Sequence, residues 1–382
     1  MDFTLSDTQQ LIQQSAQRFS QEQLAPHAAD LADINNRPQF LANLKALADL
    51  GFMGLEIDSQ YGGTEAGTLA FSIAITELAK GCPSTAVTVS VTNMVASVIQ
   101  AMGSEQQKQT HLPKLCSGEY AAGAFCLTES QAGSDPSAMR CQAIPKDDHW
   151  LLNGSKLYIT SAAYAGVFIV WAVTDKQAKK GKGISCFLVS ANAPGLTIGK
   201  EERKMGQTGS ATNEVIFDNV KVTQDDLLGE LNQGFKIAVG ELAGGRIGIA
   251  SLALGIAQSA HEYAIDYVKE RKQFGQSISD FQGIQWMLAN SEVQLNAAKL
   301  LIYQAAQLKE QSLPFATQAS MAKLFATEQG NKVCYDALQL LGGAGYLKDY
   351  PLEQKARDIR VTSIYEGTSE IQKLIIARSL LA

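Results

Sequence analysis

Four polar segments of this 382-residue chain carry residue types that can do chemistry. The first is Ile364-Tyr365-Glu366-Gly367-Thr368-Ser369-Glu370-Ile371-Gln372. Gly367 breaks the chain, and Thr368 can cap a helix running to Leu381. Glu370 then falls in the first helical turn, where a carboxylate suits the helix dipole. Glu366 differs, because it follows two bulky apolar residues and precedes the glycine. Buried, it would have a raised pKa suited to a general base; in solvent it is a plain turn glutamate. Local sequence leaves both open.

The second segment is Thr128-Glu129-Ser130-Gln131-Ala132-Gly133-Ser134-Asp135, directly after the apolar run Ala121–Leu127. It reads either as a polar surface turn or as hydroxyl and backbone donors for the polar edge of a cofactor. The third is Arg271-Lys272-Gln273-Phe274-Gly275-Gln276, which follows a helical stretch ending at Glu270. Its arginine suits a helix C-terminus, and it would equally serve as a phosphate clamp beside an aromatic ring. The fourth, Gly342-Gly343-Ala344-Gly345, neither follows a strand nor opens a βαβ unit. A dinucleotide loop is therefore excluded there, and a helix stop after Leu341 remains. No P-loop and no G-x-S-x-G occurs.

Composition narrows the class. Apolar residues make up 46% and charged residues 18%, enough for a sizeable core and against global disorder. A net charge of −6 argues against a nucleic-acid groove or a polybasic membrane patch. No run of about 18 apolar residues suggests a membrane span. Met1-Asp2-Phe3-Thr4 has neither an arginine-rich presequence nor a secretory apolar core. Six scattered cysteines without a C-x-x-C pair, and four distant histidines, point to a reducing compartment and no metal.

Three stretches must position these segments. Residues 1–119 read as helices: Ser6 with Gln9 and Ser104 with Gln107 are capping-box starts, Pro26 marks a stop, and Gly51 and Gly81 end helices. Asp58 to Gly63 is a turn cluster. Residues 120–230 read as strands: Ala121–Leu127, Trp150–Leu152, Val167–Val173, Ile184–Val189 and Val215–Phe217. Between them stand turn signals, among them Asn153-Gly154, Pro194-Gly195 and Asp218-Asn219, so a sandwich or barrel is expected. Residues 231–382 return to helical period. Phe281, Ile284, Leu288, Ser291, Leu295, Ala298, Ile302 and Ala305 form one seam, as in a four-helix bundle. Gly240, Gly244 and Gly248 leave one helix face bare, either for close packing or for a ligand. The fold class is α+β, in the order α, β, α.

Taken together, these segments resemble the acyl-CoA dehydrogenase family, above all its short-chain, butyryl-CoA type branch. The likeness runs nearly the whole chain. It is carried by Cys126-Leu127-Thr128-Glu129 with Ala132-Gly133-Ser134-Asp135, by Arg271 with Gln273-Phe274-Gly275, by Gln339 to Tyr346 with Asp349, and by Ile364-Tyr365-Glu366-Gly367-Thr368. The resemblance implies a helical domain, a β-domain and a four-helix bundle. It also implies FAD-dependent desaturation of a short- or branched-chain acyl-CoA to the trans-2-enoyl-CoA, with Glu366 as base and hydride transfer to the flavin N5. Phe125, Cys126, Leu127, Thr128 and Ser134 match flavin-lining positions, as do Tyr158, Ile159 and Thr160. Ser134, Arg246 and Gly367 match the substrate side. Arg271, Phe274 and Gln282, then Gln339, Gly342 and Gly343, match residues that hold the FAD of a neighbouring subunit. Thr368, Ser369 and Glu370 match a further FAD segment.

An obligate oligomer is implied, a tetramer in most of the family. So is electron-transfer flavoprotein as acceptor, and a cytoplasmic or mitochondrial-matrix location. Four positions depart from the family pattern. Tyr158 stands where tryptophan is usual, Ala243 where an aspartate precedes the arginine, Thr208 where arginine is common, and Gln354 where a basic residue is expected, with Lys355 adjacent. An oxidase on the same scaffold, a non-catalytic acyl-CoA or flavin binder, and a nitroalkane substrate are the competing readings. Val87 to Met94 carries no cation, which disfavours a decarboxylating variant acting on dicarboxyl-CoA.

Overall fold

Among the described residues five α-helices come first: α1 (Asp7–Phe19), α2 (Arg37–Asp49), α3 (Gly67–Gly81), α4 (Pro83–Met102) and α5 (Glu105–Cys116). The computed structural model describes residues 4–382, so the first three residues of the Met1-Asp2-Phe3-Thr4 reading lie outside the described residues. Both expected capping boxes form. The Gln9 N–H donates to Ser6 Oγ at 3.3 Å and the Gln107 N–H to Ser104 Oγ at 3.2 Å. After α1 the chain widens into a π turn at Ser20–Leu24, so α geometry is lost before Pro26 is reached. In α4 the stretch Val87-Thr88-Val89-Ser90-Val91-Thr92 alternates like a strand, yet it is helical because all of it is buried on every side. Propensity yields there to tertiary packing.

Seven strands follow: β1 (Ala122–Cys126), β2 (Gln142–Pro145), β3 (His149–Thr160), β4 (Ala165–Val173), β5 (Ile184–Ser190), β6 (Leu196–Glu201) and β7 (Thr212–Thr223). They form one mixed sheet in the order β1-β4-β2-β3-β7-β6, with β5 paired to β4. β1 runs parallel to β4, and β3 runs antiparallel to β7. Two expected turns are corrected. Asn153-Gly154 lies inside β3 and Asp218-Asn219 inside β7, at a skip in the register between the two strands. Asn219 takes φ 53°, and its N–H donates to Asn153 Oδ1 at 3.1 Å. The turn-type residues face each other as a bulge, and both strands continue past it. β2 and β6 are short and partly exposed and had no clear alternation to announce them.

The remainder is α6 (Gly234–Glu270), a small hairpin of β8 (Lys272–Gln273) and β9 (Gln276–Ser277), then α7 (Gln282–Glu310), α8 (Ala316–Leu340), α9 (Leu352–Arg360) and α10 (Ser369–Leu381). α6, α7 and α8 pack on one another, and α10 lies on α8. The seam of α7 is buried at Ser291, Leu295, Ala298, Ile302 and Ala305. Phe281 sits before the helix as its N-cap residue rather than in the seam. The bare glycine face of α6 divides. At Gly248 a Cβ would stand 2.3 Å from Ser90 Oγ, so that residue serves close packing on α4. At Gly240 nothing lies within 4 Å, and Gly244 faces Lys309. α4 and α6 are each long and apolar enough to cross a membrane, but 78% and 72% of their most apolar windows are buried inside the fold. These are core helices of the same cluster that holds α3 and α8.

Candidate active site

Glu366 occupies the turn between α9 and α10. The N–H groups of Ile364 and Tyr365 both donate to Val361 O, at 2.9 and 3.1 Å, and close the end of the preceding helical segment. Glu366 and Gly367 then take φ 53° and 89° in succession. Gly367 adopts this region freely; Glu366 does so at a cost that the surroundings must offset. Thr368 restarts the helix by accepting the Ile371 N–H at 3.4 Å. The outcome is a carboxylate directed inward. Glu366 Oε2 is buried and has no hydrogen-bond partner among the described residues. Burial raises its pKa, and the nearby charges of Lys323 and Arg246 pull in the other direction.

Arg246 comes from α6 and is only 5% exposed. Its Nη1 donates to Ser320 Oγ at 3.4 Å, and its Nε has no partner among the described residues. Burial lowers its pKa, and Glu366 opposes that shift. The adjacent Gly245 is required by close approach: a Cβ there would lie 2.8 Å from Met94 Sδ and 3.0 Å from Glu366 Oε2. A narrow recess continues from Gly245 and Met94 past Gly244 to Glu241 and Lys309. Lys309 Nζ is held by Glu56 Oε1 at 2.7 Å, and burial raises the pKa of Glu241 beside them.

The second cluster lies at the C-terminal ends of β1 and β3. Phe125, Cys126, Leu127 and Thr128 lead out of β1, and Tyr158, Ile159 and Thr160 end β3. The Leu157 N–H donates to Thr128 O at 2.9 Å and joins the two segments. Cys126 and Ile159 are buried, so neither side chain is open to a ligand. Tyr158 takes φ 59° and is 65% exposed. Thr128 and Thr160 are half-buried, Ser134 is exposed, and the next hydroxyl, Ser161 Oγ, is buried without a partner. Exposed ring, hydroxyls and an orphaned oxygen together suit a planar, polar-edged cofactor such as a flavin.

Beneath this cluster is a pair to which the sequence reading gave no role. Lys156 is completely buried, and its Nζ donates to Glu129 Oε1 at 2.7 Å and to Leu127 O at 3.1 Å. Glu129 also accepts the N–H groups of Arg140 at 2.6 Å and Cys141 at 3.0 Å. Burial alone would raise the Glu129 pKa, but Lys156 and these N–H donors outweigh it and hold the carboxyl below its usual range. No local signal announces it: the buried positions of β3 are Leu152, Lys156 and Ile159, and that spacing is not the two-residue period of a strand.

The remaining expected residues lie apart from this pair of clusters. Arg271 caps α6 with extended backbone rather than lying in its last turn, and it is exposed. Phe274 forms the β8–β9 turn at φ 53°, is 94% exposed, and meets Phe281 edge-on at 6.1 Å. Gln282 opens α7, and Gln339, Gly342 and Gly343 end α8 or follow it; all four are exposed. No Cβ contact would arise at Gly342 or Gly343. Ser369 is buried and donates to Glu328, and Glu370 is exposed with its own N–H and the Thr368 hydroxyl lowering its pKa. Of the departures, Ala243 is buried and apolar. Gln354 and Lys355 are both engaged internally: Gln354 Nε2 donates to Ala28 O at 3.3 Å and Lys355 Nζ to Ser259 Oγ at 2.8 Å. Nothing in the structure explains Thr208. Among the described residues no group of three or more His, Cys, Asp or Glu could hold a metal ion.

The chain is similar to known proteins along its whole length. Family models described as the N-terminal, middle and C-terminal domains of acyl-CoA dehydrogenase match residues 6–119, 124–220 and 232–381. A short-chain specific acyl-CoA dehydrogenase of Clostridium acetobutylicum is 43% identical over 378 residues, 99% of each chain. The solved butyryl-CoA dehydrogenase of Megasphaera elsdenii superposes with a TM-score of 0.96 at 39% identity, covering 100% of both chains. A structure described as electron transferring flavoprotein of Acidaminococcus fermentans gives 0.96 at 40% identity, again with full coverage of both. With three consecutive family models and relatives above 40% identity along its whole length, the chain belongs to the acyl-CoA dehydrogenase family.

Proposed function

We propose that the chain catalyses FAD-dependent α,β-dehydrogenation of a short-chain acyl-CoA, with Glu366 as the base that takes the α-proton. The observation that carries this reading is the Glu366 carboxylate: its Oε2 is buried, has no partner among the described residues, and lies against α6 at Gly245, where there is no side chain. An α-proton beside a thioester is too weakly acidic for a solvated carboxylate. Burial raises the basicity of Glu366, and stabilisation of charge developing at the thioester oxygen supplies the rest. The Glu366 backbone N–H is one donor for that oxygen; it has no acceptor among the described residues. Thr128, Ser134, Tyr158 and Thr160 hold the isoalloxazine side of FAD, which when bound accepts the hydride leaving Cβ. Arg271, Phe274, Gln282, Gln339, Gly342 and Gly343 are exposed as residues that serve a neighbouring subunit would be, which supports a homotetramer sharing its cofactor sites. Electron-transfer flavoprotein is the acceptor in this reading.

The recess favours uncharged acyl chains. The cation that lines it, Lys309, is already paired with Glu56, and Glu241 lies beside the pair. The far carboxylate of a dicarboxyl chain would find no free cation among these lining residues. The test is anaerobic mixing with butyryl-CoA. Wild-type flavin should bleach, and Glu366→Gln should stay yellow, folded and FAD-loaded without bleaching. Bleaching of that variant at near wild-type rate would remove Glu366 from the role. Rapid reoxidation of the bleached wild type in air would favour an oxidase.

A further inference from the structure

The turn that carries Glu366 is held in an unfavourable backbone region, and the groups that hold it are buried side chains from two helices. Lys323 projects from α8 and is completely buried. Its Nζ donates to Tyr365 O at 2.7 Å and, in a shorter bond, to Gly367 O. Gln372, one turn into α10 and equally buried, sends its Nε2 to Gly367 O at 2.8 Å and to Glu366 O at 3.3 Å. Every carbonyl from Tyr365 to Gly367 is thereby tied down. A left-handed glutamate persists only where its surroundings over-determine it, and these four bonds do so.

We propose that Lys323 is the positioning residue of the base: it fixes the Glu366 turn through the flanking carbonyls and sets the counter-charge under which the carboxylate titrates. The proposal rests on the reading of Glu366 as the base. Lys323 has no role in any other part of the site, and an isolated ammonium would not be buried here without such a use. The charges around it are few. Facing Lys323 are Glu366 from the turn, Arg246 from α6 and Glu328 from α8 itself; facing Glu366 are Lys323 and Arg246. Burial pushes the Lys323 ammonium down to about 8, with Glu366 and Glu328 opposing and Arg246 assisting. At neutral pH the lysine is therefore still charged, and its charge lowers the cost of ionising Glu366.

The sign of the pH effect follows. Glu366 must be ionised to act, so the rate of flavin reduction rises as pH passes through its raised pKa. Removing the cation makes that carboxylate costlier to ionise and moves the rising limb to higher pH. Lys323 is the larger of the two charges that lower the Glu366 pKa, so its removal should move the limb on the order of one pH unit.

The experiment uses the FAD-loaded full chain with butyryl-CoA under anaerobic conditions. Lys323→Met, Lys323→Arg and Gln372→Leu are compared with wild type for the pH profile of flavin reduction, FAD content and assembly mass. Lys323→Met should keep FAD and assembly, lower the plateau rate, and move the rising limb up. Lys323→Arg should restore the position of the limb. Gln372→Leu removes two carbonyl bonds but no charge, so it should lower the plateau and leave the limb in place. A limb unmoved in Lys323→Met would overturn the proposal, as would plateau losses equal in the Met and Arg variants with no difference in pH profile. If Lys323→Met does not fold, the Arg and Leu variants decide: a limb that moves in Gln372→Leu, or moves as far up in Lys323→Arg as roughly one unit, overturns it. Failure of the base assignment has its own signature, bleaching by Glu366→Gln, and is told apart from every outcome above.

Discussion

Glu129→Gln and Lys156→Met, made singly and together, measure what the buried pair beneath the β1–β3 junction contributes. Lys156 has no exposed surface and only two oxygen partners, Glu129 Oε1 at 2.7 Å and Leu127 O at 3.1 Å. Removing either partner strands the other charge in the sheet, and breaking such a pair costs about 3–5 kcal/mol. Lys156→Met should bear most of that cost, because Glu129 would be left ionised without its cation, held by the Arg140 and Cys141 N–H groups and by Gln131 Nε2. Glu129→Gln keeps an acceptor for those donors and strands Lys156 instead. In the double variant neither charge remains, and the total should fall short of the sum by roughly 1–3 kcal/mol. Thermal unfolding of apoprotein is the assay. At about 2 °C per kcal/mol for a chain of this size, each single variant should lose roughly 6–10 °C. FAD affinity by equilibrium dialysis should fall in parallel, since Leu127 O and the adjoining Thr128 strand end lose their anchor. Glu129 is held below its ordinary pKa, so its share of stability is present above the unfolded value and lost as pH falls through the folded one. The wild type should thus lose, below about pH 4, an increment that the double variant lacks. Additive single-variant costs, or a Lys156→Met loss under about 1 kcal/mol, would refute the reasoning.

Gly245→Ala should leave fold and FAD content intact and cut flavin reduction on the order of 100-fold, because its Cβ displaces Glu366 Oε2 or Met94 Sδ from contacts of 3.0 and 2.8 Å; stopped-flow bleaching checks it. Arg271→Ala should weaken FAD binding by roughly 10- to 100-fold and destabilise the assembly together, read by dialysis and light scattering; normal affinity would remove Arg271 from the cofactor site. Across a panel of acyl-CoAs from propionyl to octanoyl, kcat/KM should peak at about four or five carbons and decline by a slope, since each methylene is worth only about 1–3 kcal/mol. Glutaryl-CoA should be poor, because Glu56 neutralises Lys309 and Glu241 stands beside them; a glutaryl optimum would reverse that charge argument.

The sequence by itself determined the order α, β, α, both capping boxes, the helix restart at Thr368 and the seam of α7, because each is written in local signals: cap residues, turn glycines and hydrophobic period. It also determined the family, since ordered motifs survive where their residues touch the same chemistry. Where two local signals meet across space, sequence misled. Asn153-Gly154 and Asp218-Asn219 each look like a turn, and only their pairing at 3.1 Å shows a bulge within continuous strands. The β-branched run of α4 is a different case: it lies in a stretch that reads as helical, and the burial of every residue in it sustains the helix. At the site, the sequence offered Glu366 as either base or solvated turn residue. Tertiary structure decided, by burying its Oε2 against Gly245 and by bringing Arg246 and Lys323 to it from two other helices. The supporting residues stayed illegible for the same reason. Lys323, Gln372 and the Lys156–Glu129 pair act through atoms far off in the chain, or through backbone carbonyls, and a carbonyl has no letter in a sequence. Desolvation and charge proximity depend on what surrounds a group, which only the folded chain fixes.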